Sequence, residues 1–293
     1  MTKGNKKRIF IFGGDGMLGH ILLKNLEKKH DVKVTLRNNI LFYDKYNIFN
    51  INNSIDEFDP LNSHNLDEIL CEYRPDIVIN ALGLIKQRSE AANYILSLEI
   101  NSLFPHRLAL ACKRINARFI QLSTDCVFSG KKGSYIETDL PDACELYGRT
   151  KLLGECYYEN VLTLRTSFFG LELRHKTGLI EWFLAQSGEI RGYTKAIYSG
   201  ILTSEMGKVI EDIITKYPEM SGLWHVSSEP IDKYGLLVKL SDIMGRNDIK
   251  IKPDNSFCCD RSLNAQKFKE YTGYQPPSWN SMLSTLAEQI TEG

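Results

Sequence analysis

Two short segments hold side chains able to move a proton. Leu122-Ser123-Thr124-Asp125 offers two hydroxyls, and Tyr147-Gly148-Arg149-Thr150-Lys151 offers a phenol and an ammonium four residues apart. On a helix that spacing puts both side chains on one face. An unperturbed phenol ionises near pH 10, too high for efficient proton exchange at neutral pH. A neighbouring ammonium lowers that value toward the working range. A hydroxyl from Thr124, or in second place Ser123, can orient a carbonyl oxygen toward the same proton. The chemistry expected of Thr124, Tyr147 and Lys151 is therefore protonation or deprotonation at a carbonyl or alcohol.

A third segment supplies the complementary half. Gly13-Gly14-Asp15-Gly16-Met17-Leu18-Gly19 follows the apolar run Ile9-Phe10-Ile11-Phe12. Strand, glycine turn and helix together make a seat for a dinucleotide pyrophosphate. Gly13, Gly16 and Gly19 would supply a tight turn, close backbone approach and close helix packing. Met17 and Leu18 would present N–H groups at the helix start. Asp15 would repel a phosphate and is expected to point outward. A second strand is expected to end at Leu36-Arg37-Asn38, where an acidic residue would bind the ribose of NAD. Arg37 stands there instead and suits a 2′-phosphate, so NADPH is expected, with NADH as the alternative. Asp59 is expected to end the third strand, where it would accept from the adenine amino group or cap a helix. Asn80 and Ala81 end another strand at the same site, and Tyr147 and Lys151 would meet the nicotinamide ribose. The combination points to hydride transfer at a carbonyl or alcohol carbon.

Regular elements must position these groups. Apolar runs and periodicity predict strands at 8–12, 32–36, 76–81, 118–123 and 161–166, and helices at 17–29, 66–73, 100–114, 147–158, 178–185 and 204–216. Alternating strands and helices imply an α/β fold: a Rossmann-type doubly wound parallel sheet, with a small C-terminal mixed α/β substrate cap. The expected division is a dinucleotide-binding domain at 1–166 plus about 193–216, and a cap at about 167–192 plus 217–293. In such sheets ligands bind at the carboxyl ends of the strands, where the glycine turn, Asn80-Ala81 and Ser123-Thr124 all fall.

Composition narrows the partners. The 293 residues are 43% hydrophobic and 25% charged, and Lys+Arg and Asp+Glu are 36 each, so no bulk positive charge favours nucleic acid. No apolar stretch approaches the roughly 20 residues of a membrane span, and no secretory leader is recognised. Seven cysteines, an odd number without a Cys-x-x-Cys pair, and six histidines without ligand spacing read as reduced thiols in a cytoplasmic protein with no metal. A homodimer is compatible with the chain, which carries no signal for oligomeric state.

At these residues the chain resembles the extended short-chain dehydrogenase/reductase superfamily, and within it the dTDP-4-dehydrorhamnose reductase family. The resemblance is strongest over Leu122-Ser123-Thr124-Asp125-Cys126-Val127-Phe128-Ser129-Gly130, Gly133-Ser134-Tyr135-Ile136-Glu137, Tyr147-Gly148-Arg149-Thr150-Lys151 and Gly154-Glu155. Weaker matches are Arg165-Thr166, Trp224-His225 and Arg261-Ser262-Leu263. It implies Thr124, Tyr147 and Lys151 as a catalytic triad. It also implies an NAD(P)H-dependent 4-keto reductase acting on a nucleotide-linked deoxysugar, in polysaccharide precursor synthesis. Family members usually carry an aromatic residue where Cys126 stands, and Cys126 is expected to be a buried small residue. The segment 83–88 also departs from the family, and Lys86 within it is expected to meet the sugar or its phosphates. Arg261 is expected to bind the substrate diphosphate, against the alternative of a surface salt bridge. His225 and Trp182 are candidates for the sugar pocket or the core. Related dehydratases carry Asp and Glu after the threonine; here Cys126 follows Asp125, which disfavours elimination. A nucleotide-sugar epimerase with tightly bound NAD and a non-catalytic NADP-binding regulatory subunit are the alternatives.

Overall fold

The computed structural model describes residues 6–62, 66–85, 89–174 and 176–292. Its elements run β1 (Arg8–Phe12), α1 (Gly19–Leu26), β2 (Asp31–Thr35), β3 (Ser54–Ile55), α2 (Leu66–Tyr73), β4 (Ile77–Asn80), α3 (Tyr94–Leu98), α4 (Phe104–Arg114), β5 (Arg118–Thr124), α5 (Leu146–Leu153) and β6 (Val161–Thr166). Then come β7 (Phe168–Phe169), α6 (Leu179–Leu184), β8 (Gly188–Tyr198), β9 (Ile201–Leu202), α7 (Thr203–Lys216), β10 (Gly222–His225), β11 (Ile231–Asp232), α8 (Lys233–Met244), β12 (Ile249–Asp260), α9 (Gln266–Thr272) and α10 (Trp279–Glu292).

The chain divides into two compact units. The first comprises Met1–Ser123, Glu145–Leu164 and Gly207–Leu223. Its frame is a seven-stranded sheet in the order β10-β6-β5-β4-β1-β2-β3. β1 is parallel to β2 and β4, β2 to β3, and β4 to β5, as the Rossmann-type reading requires. Ile9, Phe10, Ile11 and Phe12 are fully buried, so β1 reads as a continuous apolar run rather than an alternating one. Its core gathers Phe10, Phe12, Leu70, Val78, Phe104, Leu108 and Phe119. Register aligns the carboxyl ends of β1 and β4, with Phe12 opposite Asn80, and β5 runs three residues past Gln121, the partner of Asn80.

The second unit comprises Thr124–Cys144, Arg165–Met206 and Trp224–Gly293. It carries a mixed three-stranded sheet, with β8 antiparallel to β11 and parallel to β12. Its core is built from Phe169, Phe183, Leu236, Leu240, Trp279, Leu283 and Leu286.

These boundaries differ from the division expected from the sequence. Residues 193–206 fall in the second unit, because 193–198 are the second half of β8, whose register with β12 runs to Ile197. Residues 124–144 fall there too, and 217–223 in the first. Elements also shorten. The helix expected at 17–29 spans Gly19–Leu26. The helix expected at 147–158 ends at Leu153, because Gly154 caps it. A Cβ on Gly154 would lie 1.9 Å from the Asn101 carbonyl oxygen, so helix and neighbouring backbone meet only through a glycine. The helix expected at 100–114 is two pieces, a π-helical turn at Glu99–Leu103 and α4. The third strand ends at Ile55, not at Asp59.

Candidate active site

The glycine turn is tied to the strand beside it. Gly13 donates its N–H to Thr35 Oγ1 at 3.0 Å, and Gly14 donates to the Thr35 carbonyl at 2.8 Å. Gly13 has φ +87°, and a Cβ there would sit 2.9 Å from Leu82 Cα. A Cβ on Gly19 would sit 2.0 Å from the Gly13 carbonyl oxygen. The turn is thus a cradle that side chains would fill, and the residues present fit a dinucleotide pyrophosphate. Leu18 is buried at the N-cap of α1, so its share in holding a phosphate falls to its backbone; Met17 is half-buried. Ala81 donates its N–H to the Phe12 carbonyl at 2.9 Å, which seats the end of β4 beside the turn.

Asp15 corrects one expectation. Its side chain does not point outward; it is buried and accepts from Tyr43 OH at 2.5 Å, while Asn38 N–H donates to the same phenol oxygen at 3.3 Å. His20, on α1, is also buried, and its Nδ1 lies 2.8 Å from the Gly16 carbonyl. Burial pushes its pKa down to about 4, so the ring is neutral and Nδ1 donates. Thr35 is not marked out in the sequence, because its partner Gly13 lies on a distant segment, whereas the His20 contact with Gly16 spans only four residues.

Lys151 lies in the last turn of α5 and is buried. Its ammonium donates to the Leu122 carbonyl at 2.6 Å. Desolvation lowers its pKa to about 8, partly opposed by Glu155 and Cys156. Tyr147, half-buried, stands one helical turn earlier, and its carbonyl accepts from Thr150 Oγ1 at 3.1 Å. Asn101, on the π-helical turn, reaches across this arrangement. Its Oδ1 accepts from Leu84 N–H at 2.9 Å, and its Nδ2 donates to the Leu84 carbonyl and to Thr150 Oγ1 at 3.0 and 3.2 Å. The widened turn lets one amide grip both the segment after β4 and the face of α5. Asn101 was invisible to sequence reasoning; a local departure from α-helical spacing leaves no pattern of residue types.

Ser123 changes role. Its hydroxyl is buried and donates to Glu155 Oε1 at 2.6 Å, so its proton is committed within the protein rather than offered to a substrate. Asn80 is buried as well, donating to Gln121 Oε1 at 2.9 Å and accepting from Leu82 N–H at 3.2 Å, which shapes the backbone beyond β4.

Thr124, the last residue of β5, is counted with the second unit. Its Oγ1 accepts from Cys126 N–H at 3.2 Å and donates to Asp125 Oδ1 at 3.1 Å. In the same unit Arg261 donates from Nε to the Phe128 carbonyl at 2.9 Å and from Nη1 to Cys126 Sγ at 3.5 Å. These contacts make Arg261 a brace for the segment 126–128, a role neither sequence alternative included. Cys126 is half-buried, not buried. His225 is fully buried, its Nδ1 3.0 Å from the Tyr135 carbonyl, so it belongs to the core; Trp182 is exposed.

The remaining candidates are peripheral. Arg37 is exposed, two residues beyond β2. Asp59 lies four residues beyond β3, in a turn where its carboxylate accepts from Leu61 N–H at 3.0 Å, so it acts as a turn cap. Lys86 lies outside the described residues. Among the described residues, no group of three or more His, Cys, Asp and Glu is arranged to hold a metal, and no helix is long and apolar enough to cross a membrane.

Comparison with known proteins identifies the chain's relatives. The sequence model of the family described as RmlD substrate binding domain matches residues 7–292. The chain is 26% identical over 303 residues to the dTDP-4-dehydrorhamnose reductase of Aggregatibacter actinomycetemcomitans, covering 95% of this chain and 98% of that one. It is 29% identical over 154 residues to methionine adenosyltransferase 2 subunit beta of Mus musculus, covering 51% and 42% of the two chains. The crystal structure of dTDP-4-dehydrorhamnose reductase from Bacillus anthracis in complex with NADP has the same fold, with TM-score 0.78 at 20% identity, covering 97% and 100% of the two chains.

Proposed function

The chain belongs to the RmlD substrate binding domain family, and on that premise we propose that it is a nicotinamide-dependent oxidoreductase. It reduces the 4-keto group of a dTDP-linked 4-keto-6-deoxysugar in the cytoplasm, as a step of polysaccharide precursor synthesis. The observation that carries this reading is the buried ammonium of Lys151, one turn along α5 from Tyr147. A lysine is costly to bury and earns its place where a nearby group must be made acidic.

Gly13, Gly16 and Gly19, with the backbone of Met17 and Leu18, would hold the pyrophosphate, and Arg37 would favour NADPH through its 2′-phosphate. When bound, the reduced nicotinamide supplies the hydride. Tyr147 gives its phenolic proton to the sugar's carbonyl oxygen as charge builds there. Lys151 lowers the cost of the resulting phenolate and holds ribose hydroxyls. Thr124 turns its hydroxyl from Asp125 to the carbonyl oxygen and fixes its direction.

The test is oxidation of NADPH and NADH by dTDP-4-dehydrorhamnose and its UDP-linked counterpart. Wild type turns over, with NADPH preferred, and Tyr147→Phe loses 100- to 10,000-fold in kcat while still binding NADPH (an order-of-magnitude range for one general acid). Equal turnover by both proteins defeats the mechanism. The likeness to the methionine adenosyltransferase subunit supports a second reading, cofactor binding without turnover. That reading predicts tight NADPH binding and no oxidation with any keto sugar. Copurified, non-exchanging NAD would instead mark an epimerase.

A further inference from the structure

Glu155 lies directly beyond α5 and is 2% exposed, as deeply buried as the lysine four residues before it. Its two oxygens are both engaged. Oε1 accepts from Ser123 Oγ at 2.6 Å, and Oε2 accepts from Tyr157 OH at 2.9 Å. Lys151 meanwhile reaches the carbonyl of Leu122, the residue before Ser123. Two charged side chains from the end of one helix therefore grip two successive residues of β5, just before Thr124. A carboxylate is expensive to bury, and an apolar residue would fill the same space at less cost.

We propose that Glu155 is a positioning residue for the proton-transfer group: its carboxylate is the counter-charge that keeps Lys151 an ammonium, and through Ser123 it holds the carboxyl end of β5 against the end of α5. This rests on the reading of Tyr147 and Lys151 given above. Ser123 is then part of the support for the site, consistent with its inward-turned hydroxyl.

Among the described residues, Glu155 and then Cys156 are the groups that raise the Lys151 pKa. Cys156 is pushed up to about 12 by burial, so its thiol is neutral at physiological pH. On the elements packed against α5, Glu90 is exposed, and Glu99 is ion-paired with Arg107 at 2.8 Å. His106 places its ring nitrogens on Tyr158 OH and the Leu153 carbonyl, and Tyr147 and Arg149 lie on α5 itself. Desolvation brings Lys151 down to about 8 with Glu155 opposing it, so removing that opposition lowers it further.

The experiment follows the Lys151 Cε resonance through a pH titration of the cofactor-free chain labelled with 13C-lysine, assigned with Lys151→Met. In Glu155→Gln the midpoint falls by about one pH unit or more, and Glu155→Asp restores part of that fall. The upper limb of the kcat/KM profile for keto-sugar reduction moves down by the same amount. An unchanged Lys151 midpoint in Glu155→Gln overturns the proposal. If Glu155→Gln does not fold, Glu155→Asp decides alone: a smaller fall in the same direction supports the counter-charge role, and no movement overturns it. A shifted midpoint in a chain whose wild type reduces no keto sugar would uphold the Glu155–Lys151 coupling and defeat the reductase reading.

Discussion

Among the described residues, Lys151 is a buried cation of the first unit and Arg165 of the second, and the two are put to different uses. In the first, Lys151 is desolvated until its pKa reaches about 8, close enough to neutrality to respond to its surroundings. In the second, Arg165 is 1% exposed; its guanidinium lies 5.1 Å from the Phe128 ring centroid, with Nη1 3.5 Å from His225 Nε2. A guanidinium stays charged at any relevant pH and stacks on aromatic faces, so Arg165 is architecture. Phe128 in turn stacks on Tyr135 at 4.0 Å, and His225 donates its backbone N–H to Glu137 Oε1 at 2.9 Å. The contrast separates a cation buried to be tuned from one buried to hold a core together.

Four substitutions sharpen or break that contrast. Lys151→Met should cost about a thousandfold in kcat for keto-sugar reduction, while the urea midpoint stays level or rises, because a desolvated ammonium is replaced by an apolar chain of similar length. A large loss of stability would make Lys151 architectural after all. Arg165→Met should do the reverse, losing about 3 kcal/mol in urea unfolding through lost packing and unpaired neighbours. Gly19→Ala should cost about 1–3 kcal/mol, since its methyl would press on the Gly13 carbonyl. It should also weaken NADPH binding in a fluorescence titration.

The smallest effect is a pH slope. Burial, then the Arg165 charge, pushes His225 down to about 3 from an ordinary 6.5. The unfolded chain therefore binds more protons between those values. The stabilising contribution is complete above pH 6.5 and is lost as pH falls toward 3. Over the first pH unit below 6.5 the loss is about 1 kcal/mol, and His225→Asn should flatten that part of the unfolding curve. Lys151 obeys the same sign in another window: its lowered pKa makes the folded state gain stability as pH rises from 8 toward 10.5, a gain that Lys151→Met should abolish.

Much of the frame was legible because its signals are local. Helix 66–73 and strand 161–166 appear with the expected bounds, each an apolar pattern closed by its own neighbours. The glycine turn was legible for the same reason: strand, glycines and helix are contiguous. α5 was overestimated because its stop depends on Gly154 meeting Asn101 O, a contact between residues more than 50 positions apart. Asp15 was misjudged because Tyr43 could not be seen as its partner, and the bracing contacts of Arg261 were not legible because their acceptors lie over 130 residues earlier.

The sequence by itself determined the reacting types and their spacing: Tyr147 and Lys151 on one helical face, hydroxyls at a strand end, glycines after the first strand. Backbone geometry carries such order over a few residues, whatever the rest of the chain does. Only the tertiary structure decided protonation and allegiance: that Lys151 is dry, that Ser123 turns to Glu155, that Asp15 turns to Tyr43. Desolvation and long-range hydrogen bonds set those outcomes, and both depend on which distant segments the fold brings within a few ångströms.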